Sequence, residues 1–198
     1  MEDDVFVKGR WYLNGLYDGA GIELDSRYFS YGRPIEIGPP LRVSLAHEYR
    51  TIEVSQPLKV TLSRVGKPLD LTFAAFDMPV ATIKTATLLA SIADADVQRI
   101  PTQIESQTDE FEIINAISCI DCIDTQKSEI QWYEEGNEVR PDLAGSPEMI
   151  TKIIIDPDRV SGHHIFRPKG WVVAVIVSDV IKQALESSNV SRVMFSAV

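Results

Sequence analysis

Basic charge is what this chain has least of relative to acid. It carries 19 Lys and Arg against 29 Asp and Glu, a formal net charge of -10 over 198 residues. Gripping a phosphate backbone needs a basic face, so nucleic acid is not expected as a partner. The balance fits a basic partner, or plain solubility. Long apolar runs are missing too. The longest, Val172 to Val177, falls far short of the roughly 20 residues that span a bilayer, so no membrane partner is expected. The acidic start, Met1-Glu2-Asp3-Asp4, lacks the basic-then-apolar order of a secretory leader, and the expectation is a cytoplasmic protein. Walker loops, G-x-S-x-G, H-E-x-x-H and dinucleotide fingerprints are absent. Gly19-Ala20-Gly21 is too short for a phosphate loop and has no strand–helix frame. No internal repeat or low-complexity stretch is visible.

Cysteine is scarce: Cys119 and Cys122 are the two present. Their C-x-x-C spacing lies in a stretch, Phe111 to Cys122, that reads as one strand. Side chains three apart on a strand face opposite ways, and no second pair exists to complete a zinc site. The expectation is reduced core thiols, no disulfide, no metal and no cofactor.

What is present supports a sizeable core: 44% of residues are hydrophobic and 24% charged, ordinary values for a globular chain. Strands are expected at Val5 to Leu13, Ile52 to Val65, Asp70 to Ala75, Val97 to Ile104, Phe111 to Cys122, Glu129 to Tyr133, Ile150 to Ile155, Val172 to Val177 and Val190 to Phe195. The connector Arg33 to Pro40 is rich in Pro and Gly. Apolar residues on both faces of Phe111 to Cys122 mark a central strand. A first helix is expected over Pro79 to Ala93, with Pro79 in its opening turn. A second follows Ser178 as N-cap, with Asp179 at its positive end and Asn189 in the left-handed cap. The fold class is α+β, with mixed, mainly antiparallel sheets, a β-rich N-terminal half and two principal helices. Residues 1–78 read as a β-rich lobe and residues 79–198 as an α+β lobe of one continuous domain.

The densest polar stretch is Gly162-His163-His164-Ile165-Phe166-Arg167-Pro168-Lys169-Gly170-Trp171. Polar side chains beside a core strand must be paired or functional. Neighbouring residues in an extended segment point apart, so His163 and His164 are not expected to share a metal. Asp121 and Asp124 follow the central strand, and the favoured reading pairs one of them with Arg167. Asp121, Asp124, His163, His164, Arg167 and Trp171 then form a structural polar junction, with Trp171 in the core. The rival reading, a small hydrolase, uses His163 or His164 with Asp121 or Asp124 as acid and base. Elsewhere, Trp132, Tyr133, Glu134, Glu135 and Glu138 cluster aromatics with carboxylates near a turn, as a protein-binding patch does. An ordinary strand end has the same composition.

Several blocks, in this order, carry a resemblance: Arg27-Tyr28-Phe29-Ser30-Tyr31-Gly32-Arg33-Pro34, Leu71-Thr72-Phe73-Ala74-Ala75-Phe76-Asp77-Met78-Pro79-Val80, Cys119-Ile120-Asp121-Cys122-Ile123-Asp124 through Ser128-Glu129, and the Gly162 to Trp171 stretch. From about Tyr28 to Val198 the chain resembles the myxobacterial-type immunity-protein family of bacterial polymorphic toxin systems, the eleventh catalogued Imm family. The resemblance implies a non-enzymatic antidote that binds a cognate toxin domain, encoded by a neighbouring gene, and blocks its active site. It carries over no catalytic residue. The acidic balance points to a toxin with a basic cleft, such as a nuclease. A stand-alone interaction module is the remaining alternative.

Overall fold

Turn formers break this sequence into short β-rich runs, and a computed structural model shows how those runs pair. It describes residues 10–15, 21–23, 35–37, 41–43, 51, 53–64, 69–74, 78–104, 107–136, 141–190 and 193–198, with residues 61–64 and everything before residue 51 described as backbone only. The elements in order are β1 (Arg10–Gly15), β2 (Gly21–Glu23), β3 (Ile35–Ile37), β4 (Leu41–Val43), β5 (Leu58–Arg64), β6 (Leu71–Ala74) and β7 (Met78–Thr82). Then come α1 (Ile83–Ala93), β8 (Val97–Ile104), β9 (Phe111–Ala116), β10 (Cys119–Ile120), β11 (Glu129–Trp132) and β12 (Pro147–Lys152). β13 (Ile165–Pro168), β14 (Ile176–Ser178), α2 (Asp179–Ser187) and β15 (Val193–Ala197) complete them. The class is α+β, as expected.

Six strands close a barrel in the order β2-β5-β8-β9-β7-β6. Alternation explains its filling: on β8, Ile100, Thr102 and Ile104 are buried while Pro101 and Gln103 are exposed. Leu58, Val60, Ala74, Met78, Val80, Ile100, Ile104, Phe111 and Ile113 pack as one cluster. β9 pairs with both β7 and β8 and is central. Its other face gives Ile114 and Ala116 to a second cluster, with Ala86, Leu89 and Ala93 of α1 and Ile181 and Leu185 of α2. Each fully buried Leu or Ile contributes about 1.5–3 kcal/mol.

The second sheet runs β10-β13-β14-β1-β15. β1 pairs antiparallel with both β14 and β15, so this sheet joins strands from the two ends of the sequence. β10 pairs parallel with β13. Beneath it lies a third cluster of Cys122, Ile155, Val160, Phe166, Ala174 and Ile176, with Trp171 partly buried against it. β11 and β12 make a separate two-stranded ribbon, and β3 with β4 makes another.

Several boundaries differ from the sequence reading. Pro79 lies in strand β7, and α1 starts at Ile83 behind its N-cap Thr82, whose hydroxyl accepts from the Thr85 N–H. Met78 to Ala81 are buried on both faces of the strand, a demand that outweighs the helical spacing. Pro79 fits there because β9 pairs only with Val80, Ala81 and Thr82, so no β9 rung needs the missing N–H. The expected strand Phe111 to Cys122 breaks at Ile117 and Ser118, sending β9 to the barrel and β10 to the other sheet. Val172 and Val173 belong to a turn that follows Gly170 at φ +86°, and β14 begins only at Ile176. The connector Arg33 to Pro40 contains β3. Val5 to Gly9 of the expected first strand lie outside the described residues.

Candidate functional site

Asp96 organises the polar centre. It sits in the turn from α1 to β8, where its N–H donates to the Ala93 carbonyl (3.0 Å) and its carbonyl accepts from the Ile117 N–H (2.8 Å). Its side chain is 5% exposed. Oδ1 accepts from His163 Nδ1 at 2.6 Å and from the Ser118 hydroxyl at 2.9 Å. Oδ2 accepts from the N–H groups of His164 (2.7 Å) and Ile165 (3.2 Å). One carboxylate thus joins the helix–strand turn, the β9–β10 break and the start of β13. Burial pushes the Asp96 carboxyl up, but the four hydrogen bonds outweigh it and hold the carboxyl below its ordinary value. An ionised carboxylate only accepts, so His163 must carry its proton on Nδ1.

The two histidines diverge from there. His163 is partly exposed and tied to Asp96, whereas His164 Nδ1 shares a hydrogen bond with Ser178 Oγ at 2.9 Å. Ser178 also accepts from the Ile181 N–H as the N-cap of α2, and its own N–H donates to the His164 carbonyl at 2.9 Å. A second chain of contacts therefore runs from β13 through Ser178 into α2. Neither histidine hydrogen-bonds Asp121 or Asp124, so the hydrolase arrangement is not assembled by those four groups.

The expected pairing of Arg167 with Asp121 or Asp124 is corrected. Asp121 is exposed. Asp124 Oδ2 takes Lys127 Nζ at 2.7 Å, and Oδ1 accepts from the N–H groups of Gln126 (3.1 Å) and Lys127 (3.2 Å). The Lys127 contact, followed by those backbone donors, holds the Asp124 carboxyl below its ordinary value. A short side chain after a strand finds its own turn first, a local competition that the long-range pair loses. Arg167 is buried, and its guanidinium donates to the Val172 carbonyl across the Gly170 turn. The junction is still tied to β10, but by backbone: Arg167 N–H donates to Ser118 O (2.9 Å) and Lys169 N–H to Ile120 O (2.8 Å). Trp171 is half-buried on the Cys122 cluster.

Cys122 is fully buried and Cys119 partly so, and neither forms a disulfide. Burial, then the nearby Asp121 and Cys119, push the Cys122 thiol up to about 12. Among the described residues no group of three or more His, Cys, Asp or Glu is placed to hold a metal ion. No helix among them is long and apolar enough to cross a membrane, which says nothing of a β-barrel.

The aromatic–acidic patch stands on the β11–β12 ribbon. Trp132 is 42% exposed. Tyr133 is half-buried, and Glu134 and Glu135 are exposed in the turn that follows β11. Glu138 lies outside the described residues. The sequence reading missed Asp96. It did carry a signal: Asp94 and Asp96 follow a helix C-terminus, where the dipole disfavours carboxylates. Acid at that end needs donors from elsewhere.

Fold and site together define an α+β protein whose polar centre is spent on joining strands, with a separate acidic ribbon left at the surface. Residues 103–198, just under half of the chain, match the model of the Immunity protein family (Imm11). The resemblance read from the sequence is thereby shown over this segment. It contains the ribbon, the junction and α2. A search of curated proteins finds no match to the chain.

Proposed function

We propose that the chain is a cytoplasmic immunity protein of a polymorphic toxin system, which binds the toxin domain encoded by a neighbouring gene and blocks its active site without covalent chemistry. The family match over residues 103–198 is the observation that carries this reading. The net charge of -10 favours a toxin with a basic cleft, as a nuclease has, because opposite charge speeds encounter. Trp132, Tyr133, Glu134, Glu135 and Glu138 are the first candidates for the contact surface, while Asp124, His163, His164, Arg167 and Trp171 serve the scaffold. The chain acts as one continuous domain in this reading, supported by the placing of β1 between β14 and β15. Co-purification with the neighbouring toxin domain, and rescue of cells expressing it, are the expected results. A chain that neither binds nor protects overturns the proposal.

A further inference from the structure

The β11–β12 ribbon combines three features. It is a two-stranded sheet of its own, not a continuation of the barrel or the larger sheet. It exposes two large apolar side chains, Trp132 at 42% and Met149 at 51%. Trp132 pairs with Pro147 and Gln131 with Met149, so the two exposed side chains belong to the last two rungs, which a register shift separates. The third feature is charge. From Glu129 to Lys152 the sequence holds six carboxylates against two basic residues. Lys152 lies opposite Glu129 at the ribbon's base, whereas Glu134 and Glu135 lie towards the turn. Glu134 and Glu135 therefore place acid beyond the last paired rung.

Physical chemistry gives this combination one efficient use. A lone two-stranded ribbon is marginal in water and does not gain from displaying Trp and Met. Those side chains become worth burying when a partner covers them, and Trp and Met fill irregular pockets well. A rim of carboxylates steers towards positive potential and costs least where the partner supplies cations. Glu148 and Glu129 are held upright by Gln131 Nε2 (2.7 Å) and Thr151 Oγ1 (3.1 Å), which leaves their charge on the ribbon surface.

We infer that the whole ribbon, both strands and not the β11 end alone, is the inhibitory element, and that it inserts acid-first into the basic, polyanion-binding cleft of the cognate toxin. This rests on the immunity reading and adds its mode: Trp132 and Met149 anchor the complex, while Glu134, Glu135 and Glu148 occupy positions that substrate phosphates would take.

The test is binding kinetics of the full chain against the toxin domain encoded beside it. Trp132→Ala and Met149→Ala each raise the dissociation rate about tenfold. Met149→Ala trims only an exposed side chain and keeps the test decisive if Trp132→Ala loosens the ribbon. Glu148→Lys, alone or with Glu134→Lys, lowers the association rate about tenfold at low salt and flattens its salt dependence. Asp109→Lys, exposed and off the ribbon, changes neither rate. Heparin competes with the chain for the toxin. If the wild type binds but the ribbon variants behave as Asp109→Lys does, or heparin does not compete, the ribbon inference falls and the immunity reading stands. If the wild type does not bind at all, both fall.

Discussion

Asp96 Oδ1 lies 2.6 Å from His163 Nδ1, across 67 positions of sequence. The same carboxylate accepts from two backbone N–H groups at the start of β13. Removing it leaves those donors buried without a partner, at about 1–3 kcal/mol each. Asp96→Ala is expected to cost about 3 kcal/mol in urea unfolding followed by tryptophan fluorescence. His163→Ala is expected to cost about 1 kcal/mol or less, because that ring is partly in water. Equal losses in the two variants would show that the backbone contacts carry little.

The same site sets a pH dependence. The Asp96 carboxyl titrates below its ordinary value of 3.8 in the folded chain. The unfolded chain then binds the proton more readily as pH falls, so the contribution is fully present above the ordinary value and is lost as pH drops through the folded one. The stability gap between wild type and Asp96→Asn is expected to stay constant from about pH 7 to pH 5, and to close below about pH 4. A gap that widens on acidification contradicts the assignment.

Local chemistry was readable where neighbours in sequence are also neighbours in space. Ser178, Asp179 and Asn189 define α2 through contacts of a few residues, and Asn189 takes φ 52° as its cap role requires. Val97 to Ile104 is a strand from end to end, and it alternates from Ile100 onward. The two-faced pattern of β9 announced a central strand. Pro79 misled because β7 runs straight into α1, and helical spacing continues backwards through a buried strand. The polar junction was legible as a place but not as a wiring. Which carboxylate reaches His163 depends on α1 setting Asp96 against β13, a tertiary fact with no local trace beyond acid at the wrong end of a helix.

Ser178 serves two structures at once, capping α2 and holding His164. Ser178→Ala is expected to cost about 1–2 kcal/mol, the cap together with a part-buried imidazole contact. If the loss is merely the cap, His164→Ala in the Ser178→Ala background adds the same amount as in wild type. Coupling between the two changes shows that the contact is energetically real.

Cys122 offers a chemical readout of the core. Its thiol, pushed up to about 12, holds almost no thiolate near neutrality, and it is buried. Iodoacetamide at pH 7.5 should leave Cys122 unmodified in the folded chain and label it in urea. Peptide mapping distinguishes this from the partly exposed Cys119. Native labelling of Cys122 at the rate of a free thiol would mean that the cluster with Phe166 and Ile176 opens readily.

The correction at Arg167 can be measured directly. Its guanidinium donates to the Val172 carbonyl, while Asp124 takes Lys127 in its own turn. Arg167→Ala is expected to cost about 2–3 kcal/mol, since it leaves a carbonyl without its charged donor. Asp124→Ala loses a turn contact with an exposed lysine, and the expected effect is small. A double-mutant cycle separates the two arrangements. Independent sites add, so Arg167→Ala with Asp124→Ala should equal the sum of the singles to within about 0.5 kcal/mol. A coupling of several kcal/mol would restore the long-range ion pair that the sequence pattern favours. Additivity instead leaves Arg167 as the brace of the Gly170 turn, with β10 and β13 joined through their backbones.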